Sequence, residues 1–196
     1  GGVAGEADAI LIPELPVDFN ELYRHCKKVY TRRIIESDIN AGTYTIVVAE
    51  GLKDASGKEM YDEAAGVDTF GHKKLAGAGK YVAQELSRLL TADPEIKEFM
   101  MEQGMFVEGL NTIPEIRTTT PGHLVRSGAT YAYDANFGME AGATAVCLLL
   151  SGVFGVTVTG YFGGKIHYMD IKEAIQQRHV DLRDIHLYEQ LGFCFG

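Results

Sequence analysis

The sequence predicts an α/β protein: Rossmann-like layers of parallel sheet flanked by helices. Three observations carry this. "AILIPE" (9–14) and "YTIVVAE" (44–50) are short continuous apolar runs, the pattern of strands buried on both faces of a parallel sheet. Between them Asp18, followed by Glu21, precedes apolar Phe19, Leu22, Cys26 and Val29 at helical spacing, a capping-box-like helix start. Strand, helix and strand in this order form a βαβ unit, whose crossover should be right-handed.

The remaining elements follow in chain order. Pro13 ends the first strand, and residues 51–73 are polar, glycine-rich and aperiodic, which reads as a surface excursion. A helix resumes at about 74, with Leu75, Ala78, Val82, Leu86 and Leu89 on one face. "TADPEIKEFMMEQGMFVEGLNTIPE" predicts a short helix and an irregular return. "EIRTTTPG" is a β-prone, edge-like segment stopped by Pro121 and Gly122. Asp134 can cap a long helix through "FGMEAGATAVCLLLSG", whose glycines and alanines allow close packing on a sheet. The strand "VTVTGYF", a Gly163-Gly164 turn, the strand "KIHYM" and a helix opened by Asp170, with Glu173 at its third position, complete the readable part.

Composition excludes several classes. The chain has 196 residues, 46% of them hydrophobic, enough for a real core. Its net charge is −9, and no basic run exceeds a pair such as Lys27-Lys28 or Arg32-Arg33, so it presents no footprint for nucleic acid or an anionic membrane. Any bound anion must be caught locally. Three cysteines, Cys26, Cys147 and Cys194, lack disulfide-framework or zinc-ligand spacing, which fits a reducing cytoplasm. The longest apolar stretch, "ATAVCLLLSGVFGVTV", is interrupted and shorter than the about 20 residues a bilayer requires. No signal peptide is read at the start, and the absence of an initiator methionine suggests a piece of a longer protein.

The local anion trap lies in "TTTPGHLVRSGATYAYDANFG" (118–138), where His123 and Arg126 stand in a run without core periodicity. Arg117 precedes them. A guanidinium's fixed fork of N–H donors matches phosphate oxygens, so two arginines and a histidine within ten residues could hold a phosphomonoester. In open α/β sheets ligands sit beyond the carboxyl ends of strands, and Glu50 ends the run "YTIVVAE". Each residue alone has a plainer reading. Glu50 could be a solvated charge or a helix cap, a loop arginine a surface residue, and His123 a partner of its own loop. "AGAGK" (76–80) lacks P-loop spacing and reads as a small-residue helix.

In combination, "GGVAGEADAILIPE", "YTIVVAEG" and "IRTTTPGHLVRSGATYAYDANFGMEAGATAV", in this order, resemble the second half of the phosphofructokinase family. The resemblance covers about 1–50 and 113–175 well and 51–112 poorly. It implies phosphoryl transfer from ATP or pyrophosphate to the 1-hydroxyl of fructose 6-phosphate in glycolysis. It implies that His123 and Arg126 contact the sugar phosphate, that Arg117 reaches into a neighbouring subunit's site, and that Glu50 accepts from sugar hydroxyls. The family's GGDGS or GGDDS donor-phosphate motif, its T-I-D-N-D segment with the general base, and its M-G-R segment occur nowhere in the 196 residues. By this likeness the fold is incomplete without an N-terminal half, Mg2+ is bound mainly by that half, and the chain alone is inactive.

Residues 1–126 would form the sugar-phosphate part, with an insertion at about 51–112, and 127–196 would return to pack on the N-terminal domain, with a C-terminal tail. The working form would be a homo-oligomer or an assembly with a chain carrying the other half. The alternative is a non-catalytic phosphosugar-binding or structural subunit. Nucleotide-regulated members carry basic residues nine and eleven positions before the strand-end glutamate. Here these are Ala41 and Ile39, and no Lys or Arg occurs between Arg33 and Lys53. An enzyme without the usual nucleotide effector response is therefore expected, a trait commoner in the pyrophosphate-using branch.

Overall fold

The computed structural model describes residues 1–53, 57 and 77–196. Two compact units result, one of Gly1–Thr119 with Val180–Gly196, the other of Thr120–His179. The boundary expected at 126–127 falls inside the second unit.

The first unit opens with the expected βαβ arrangement. Strand β1 (Ala9–Leu11) and strand β2 (Ile46–Val48) pair in parallel, Ala9 opposite Ile46 and Leu11 opposite Val48. Both are three residues long, shorter than the apolar runs, because Pro13 lacks the N–H a longer β1 would need. Helix α1 (Phe19–Glu36) connects them, and the Asp18 carboxylate caps it by accepting from the Asn20 and Glu21 N–H groups. β1 is buried at Ala9 and Leu11, but Val47 in β2 is 40% exposed, so the second run is not buried on both faces as its sequence suggested. Among the described residues the sheets are one parallel pair and one antiparallel ribbon. Helices and strands alternate as in an α/β chain, but the described residues show no clear Rossmann layering.

Helix α2 (Ala78–Ala92) buries Ala78, Val82, Leu86 and Leu90. The expected start at 74 and Leu75 lie outside the described residues, and the buried position is Leu90 rather than Leu89, since an i, i+4 row continues straight along one face. The excursion expected over 51–73 also lies mostly outside them, but Leu52 within it is fully buried. Leu52 joins Leu11, Val17, Leu22, Val82 and Leu86 in the main core. Helix α3 (Pro94–Glu102) has proline in its first turn, where a missing N–H costs nothing, and Asp93 as its cap. Asp93 also accepts from the Tyr23 hydroxyl at 2.5 Å and Lys27 Nζ at 2.6 Å. Burial opposes its ionisation, yet these hydrogen bonds outweigh burial and hold its pKa below the ordinary carboxylate value.

The C-terminal segment was the least legible part. Helix α6 (Leu182–Gln190), capped by Asp181, leads to Cys194, which forms a parallel bridge beside Ala9. Ile10 N–H donates to the Cys194 carbonyl at 2.8 Å, and Cys194 N–H donates to the Asp8 carbonyl at 2.9 Å. Burial pushes the Cys26 thiol up to about 12.

His25 ties α1 to this segment and to the start of β2. Its Nδ1 lies 2.6 Å from the Tyr44 hydroxyl, and the Gly192 backbone beside the ring favours its charged form. Burial lowers its pKa below 6.5; Lys28 lowers it too, against Asp8 and Glu21, which favour the charged ring. A lowered folded pKa means that the unfolded chain binds more protons between the two pKa values. The stabilisation is therefore present above about pH 6.5 and lost as pH falls through the folded value. Urea unfolding from pH 7.5 to 5 should show a fall in stability that His25→Gln reduces; equal slopes in both proteins would assign the fall to other groups.

The second unit contains helix α4 (Ala132–Leu150), strand β3 (Val156–Phe162), strand β4 (Lys165–Asp170) and the single-turn helix α5 (Ile171–Ala174). β3 and β4 form the expected hairpin, antiparallel from Val156 opposite Asp170 to Phe162 opposite Lys165. Its two-residue turn needs positive φ at both positions, supplied by Gly163 (57°) and Gly164 (78°). α4 starts two residues before Asp134, which lies in its first turn instead of capping it. No residue of α4 is buried, and a Cβ at Gly138 or Gly142 would meet nothing within 4 Å, so its small residues do not serve close packing here.

Candidate functional site

Arg117 lies on irregular, exposed backbone between α3 and the second unit. "EIRTTTPG" forms no strand. Threonine and isoleucine favour β structure only when a neighbouring strand accepts their backbone pairs, and this stretch has no such neighbour among the described residues. The Arg117 side chain is nonetheless held. Its Nε donates to Glu115 Oε1 at 2.8 Å and its Nη2 donates to Oε2 at 2.9 Å. The Arg117 hydrogen bonds pull the Glu115 pKa down, and the same bonds raise that of Arg117.

Gly122–Arg126 form a 3-10 helix where sequence periodicity indicated neither helix nor strand. Its turns are closed by Leu124 N–H donating to the Pro121 carbonyl at 2.9 Å and Ser127 N–H donating to the Leu124 carbonyl at 3.2 Å. Gly122 (φ 52°), its first residue, and Gly128 (φ 104°), two residues past its end, hold left-handed conformations that any side chain would strain. The two glycines of the Gly-His-x-x-Arg-Ser-Gly run are thus required by the backbone. With about three residues per turn, positions 123 and 126 share one edge of this helix.

Glu50 is exposed in the turn two residues beyond β2, at the carboxyl end expected of an α/β ligand position. The structure places Glu50 and Arg117 in the first unit, and His123 and Arg126 in the second. Glu115, which grips Arg117, was missed in the sequence, although a carboxylate two residues from an arginine on extended chain is a readable signal.

The cation nearest the segment expected to lack effector contacts is also engaged. Arg33 Nη1 and Nη2 donate to the Asp8 carboxylate at 2.8 and 2.7 Å, and Nη1 donates to the Thr43 carbonyl at 2.6 Å. Among the described residues no helix is long and apolar enough to cross a membrane, and no group of three or more His, Cys, Asp or Glu side chains could hold a metal ion.

A βαβ start followed by two arginines and a histidine on loop and 3-10 backbone defines the class, an α/β protein with a cationic candidate segment. The comparison with known proteins makes it specific. The phosphofructokinase family model matches residues 1–149, and the chain belongs to the phosphofructokinase family. It is 30% identical over 158 residues to the pyrophosphate–fructose 6-phosphate 1-phosphotransferase of Dictyoglomus thermophilum, covering 81% of this chain and 37% of that protein. It is 31% identical over 201 residues to an ATP-dependent 6-phosphofructokinase of Chloroflexus aurantiacus, covering 100% of this chain and 45% of the relative. An ATP-dependent 6-phosphofructokinase 2 of Clostridium perfringens is 29% identical over 174 residues, covering 89% and 39%. The chain spans less than half the length of these relatives.

Proposed function

We propose that this chain is the sugar-phosphate-binding part of a phosphofructokinase acting in glycolysis, in the cytoplasm, as an oligomer or with a chain that carries the other half. The observation that carries the reading is the Arg117, His123 and Arg126 set, in motif order, within the stretch matched by the family model. In the assembly Arg126 and His123 bind the 6-phosphate of fructose 6-phosphate, Arg117 joins them from a neighbouring subunit, and Glu50 accepts from the sugar hydroxyls. The 1-hydroxyl oxygen then bonds to the transferred phosphorus as the bond to ADP or orthophosphate breaks. The hydroxyl proton goes to a base outside these 196 residues. Such transfer depends on positioning and charge neutralisation, so binding the acceptor in register is the contribution of these residues. Mg2+ would neutralise the donor phosphates, and by family likeness its ligands lie mainly in the other half.

That the rest of the assembly covers the second unit is supported by its exposed apolar residues, among them Tyr131, Leu149, Leu150 and Phe154. Pyrophosphate is the favoured donor. Ala41 and Ile39 offer no cationic contact to a nucleotide effector, and Arg33 is already engaged by Asp8. Steady-state assays of the complete assembly with each donor, with and without ADP and phosphoenolpyruvate, test the reading. Turnover with pyrophosphate and no ADP activation is expected. Turnover with ATP alone would overturn the donor assignment, strong ADP activation the regulatory one, and no fructose 6-phosphate turnover with either donor the function.

A further inference from the structure

Arg117 stands on exposed chain with no secondary-structure element of its own to fix it, yet both oxygens of Glu115 grip its Nε–Nη2 edge. The pairing is local, between residues two apart in the chain. A guanidinium has a second pair of parallel donors at its Nη1–Nη2 end, and the Glu115 fork leaves that end unoccupied. The carboxylate also sets a negative charge directly beside the cation.

We propose that Glu115 is a positioning residue for the acceptor phosphate, one that limits its affinity. It holds Arg117 by one edge, presents the Nη1–Nη2 end to the phosphoryl oxygens, and offsets the guanidinium charge that a phosphate dianion meets. This rests on the assignment of Arg117 to the sugar phosphate. Because both side chains are largely exposed, 81% for Arg117 and 67% for Glu115, water and salt screen the effect and keep it modest. The site gains a fixed geometry and remains readily reversible.

Glu115→Gln keeps the side-chain shape and one acceptor oxygen but removes the charge. In the complete assembly it should tighten fructose 6-phosphate binding by about two- to five-fold, read by calorimetry and as a fall in KM larger than any change in kcat. In an Arg117→Ala background the same substitution should change nothing. Unchanged or weaker binding in Glu115→Gln, where Arg117→Ala itself weakens binding, overturns the role of Glu115 and leaves the site assignment intact. Tightening of equal size in both backgrounds also overturns it, because the charge would then act without Arg117. Full affinity in Arg117→Ala alone removes the underlying assignment, and this inference with it. Matching urea midpoints verify that the exposed substitutions leave the fold unchanged.

Discussion

Leu22→Ala is expected to destabilise the first unit by about 2–5 kcal/mol, the range for a fully buried leucine truncated in a packed core. Leu22 has no exposed surface and lies among Ala9, Leu11, Val17, Leu52 and Val82. These neighbours come from β1, the turn before α1, the segment after β2, and α2. The cluster that one shortened side chain disturbs is thus shared by four stretches of chain. Collapse into the space is limited, because β1 is held by its pairing with β2 and by the Cys194 bridge. Urea unfolding followed by circular dichroism measures the loss, with Leu150→Ala as the contrast. Leu150 is 84% exposed, and its truncation in the chain by itself should change stability by no more than about 0.5 kcal/mol. Losses of similar size in the two variants would contradict this account of the core.

The difference between those two leucines also marks what the sequence could and could not convey. β1, α1, β2, α2 and the β3–β4 hairpin were legible because each carries its own signal: a continuous apolar run, a capped 3.6-residue period, or two adjacent glycines that supply a tight turn. α4 was legible as a helix, but its burial was not, since periodicity records which residues are apolar and says nothing about whether a partner covers them. The strand expected at 115–122 failed for a related reason, because β structure requires a pairing edge that no local run can supply. The C-terminal segment was hardest to read. Its placement beside Ala9 is a contact across almost the whole chain, and "GFCF" carries too short a pattern to announce it. In the candidate site the residue types and their spacing could be read, and the backbone could not. Arg117, His123 and Arg126 stood out by residue type and spacing, whereas the 3-10 helix, its left-handed glycines and the grip of Glu115 on Arg117 depend on conformation.

If the proposed site is right, Arg126→Ala should weaken fructose 6-phosphate binding by about 2 kcal/mol or more, roughly 30-fold, because that assignment makes Arg126 a charge-assisted partner of the phosphate. The backbone gives position 126 its importance. The 3-10 helix sets it one turn from His123, so on that assignment a single phosphate would draw on both residues, and the left-handed glycines at 122 and 128 permit the turn. Arg126→Lys separates charge from geometry: lysine retains the cation but not the planar fork, and should fall between the wild type and Ala. Calorimetric titration of fructose 6-phosphate into the three proteins gives the comparison. Equal affinity in all three would remove Arg126 from the site, whereas a lysine variant no better than alanine would show that the fork, and not the charge, recognises the phosphate.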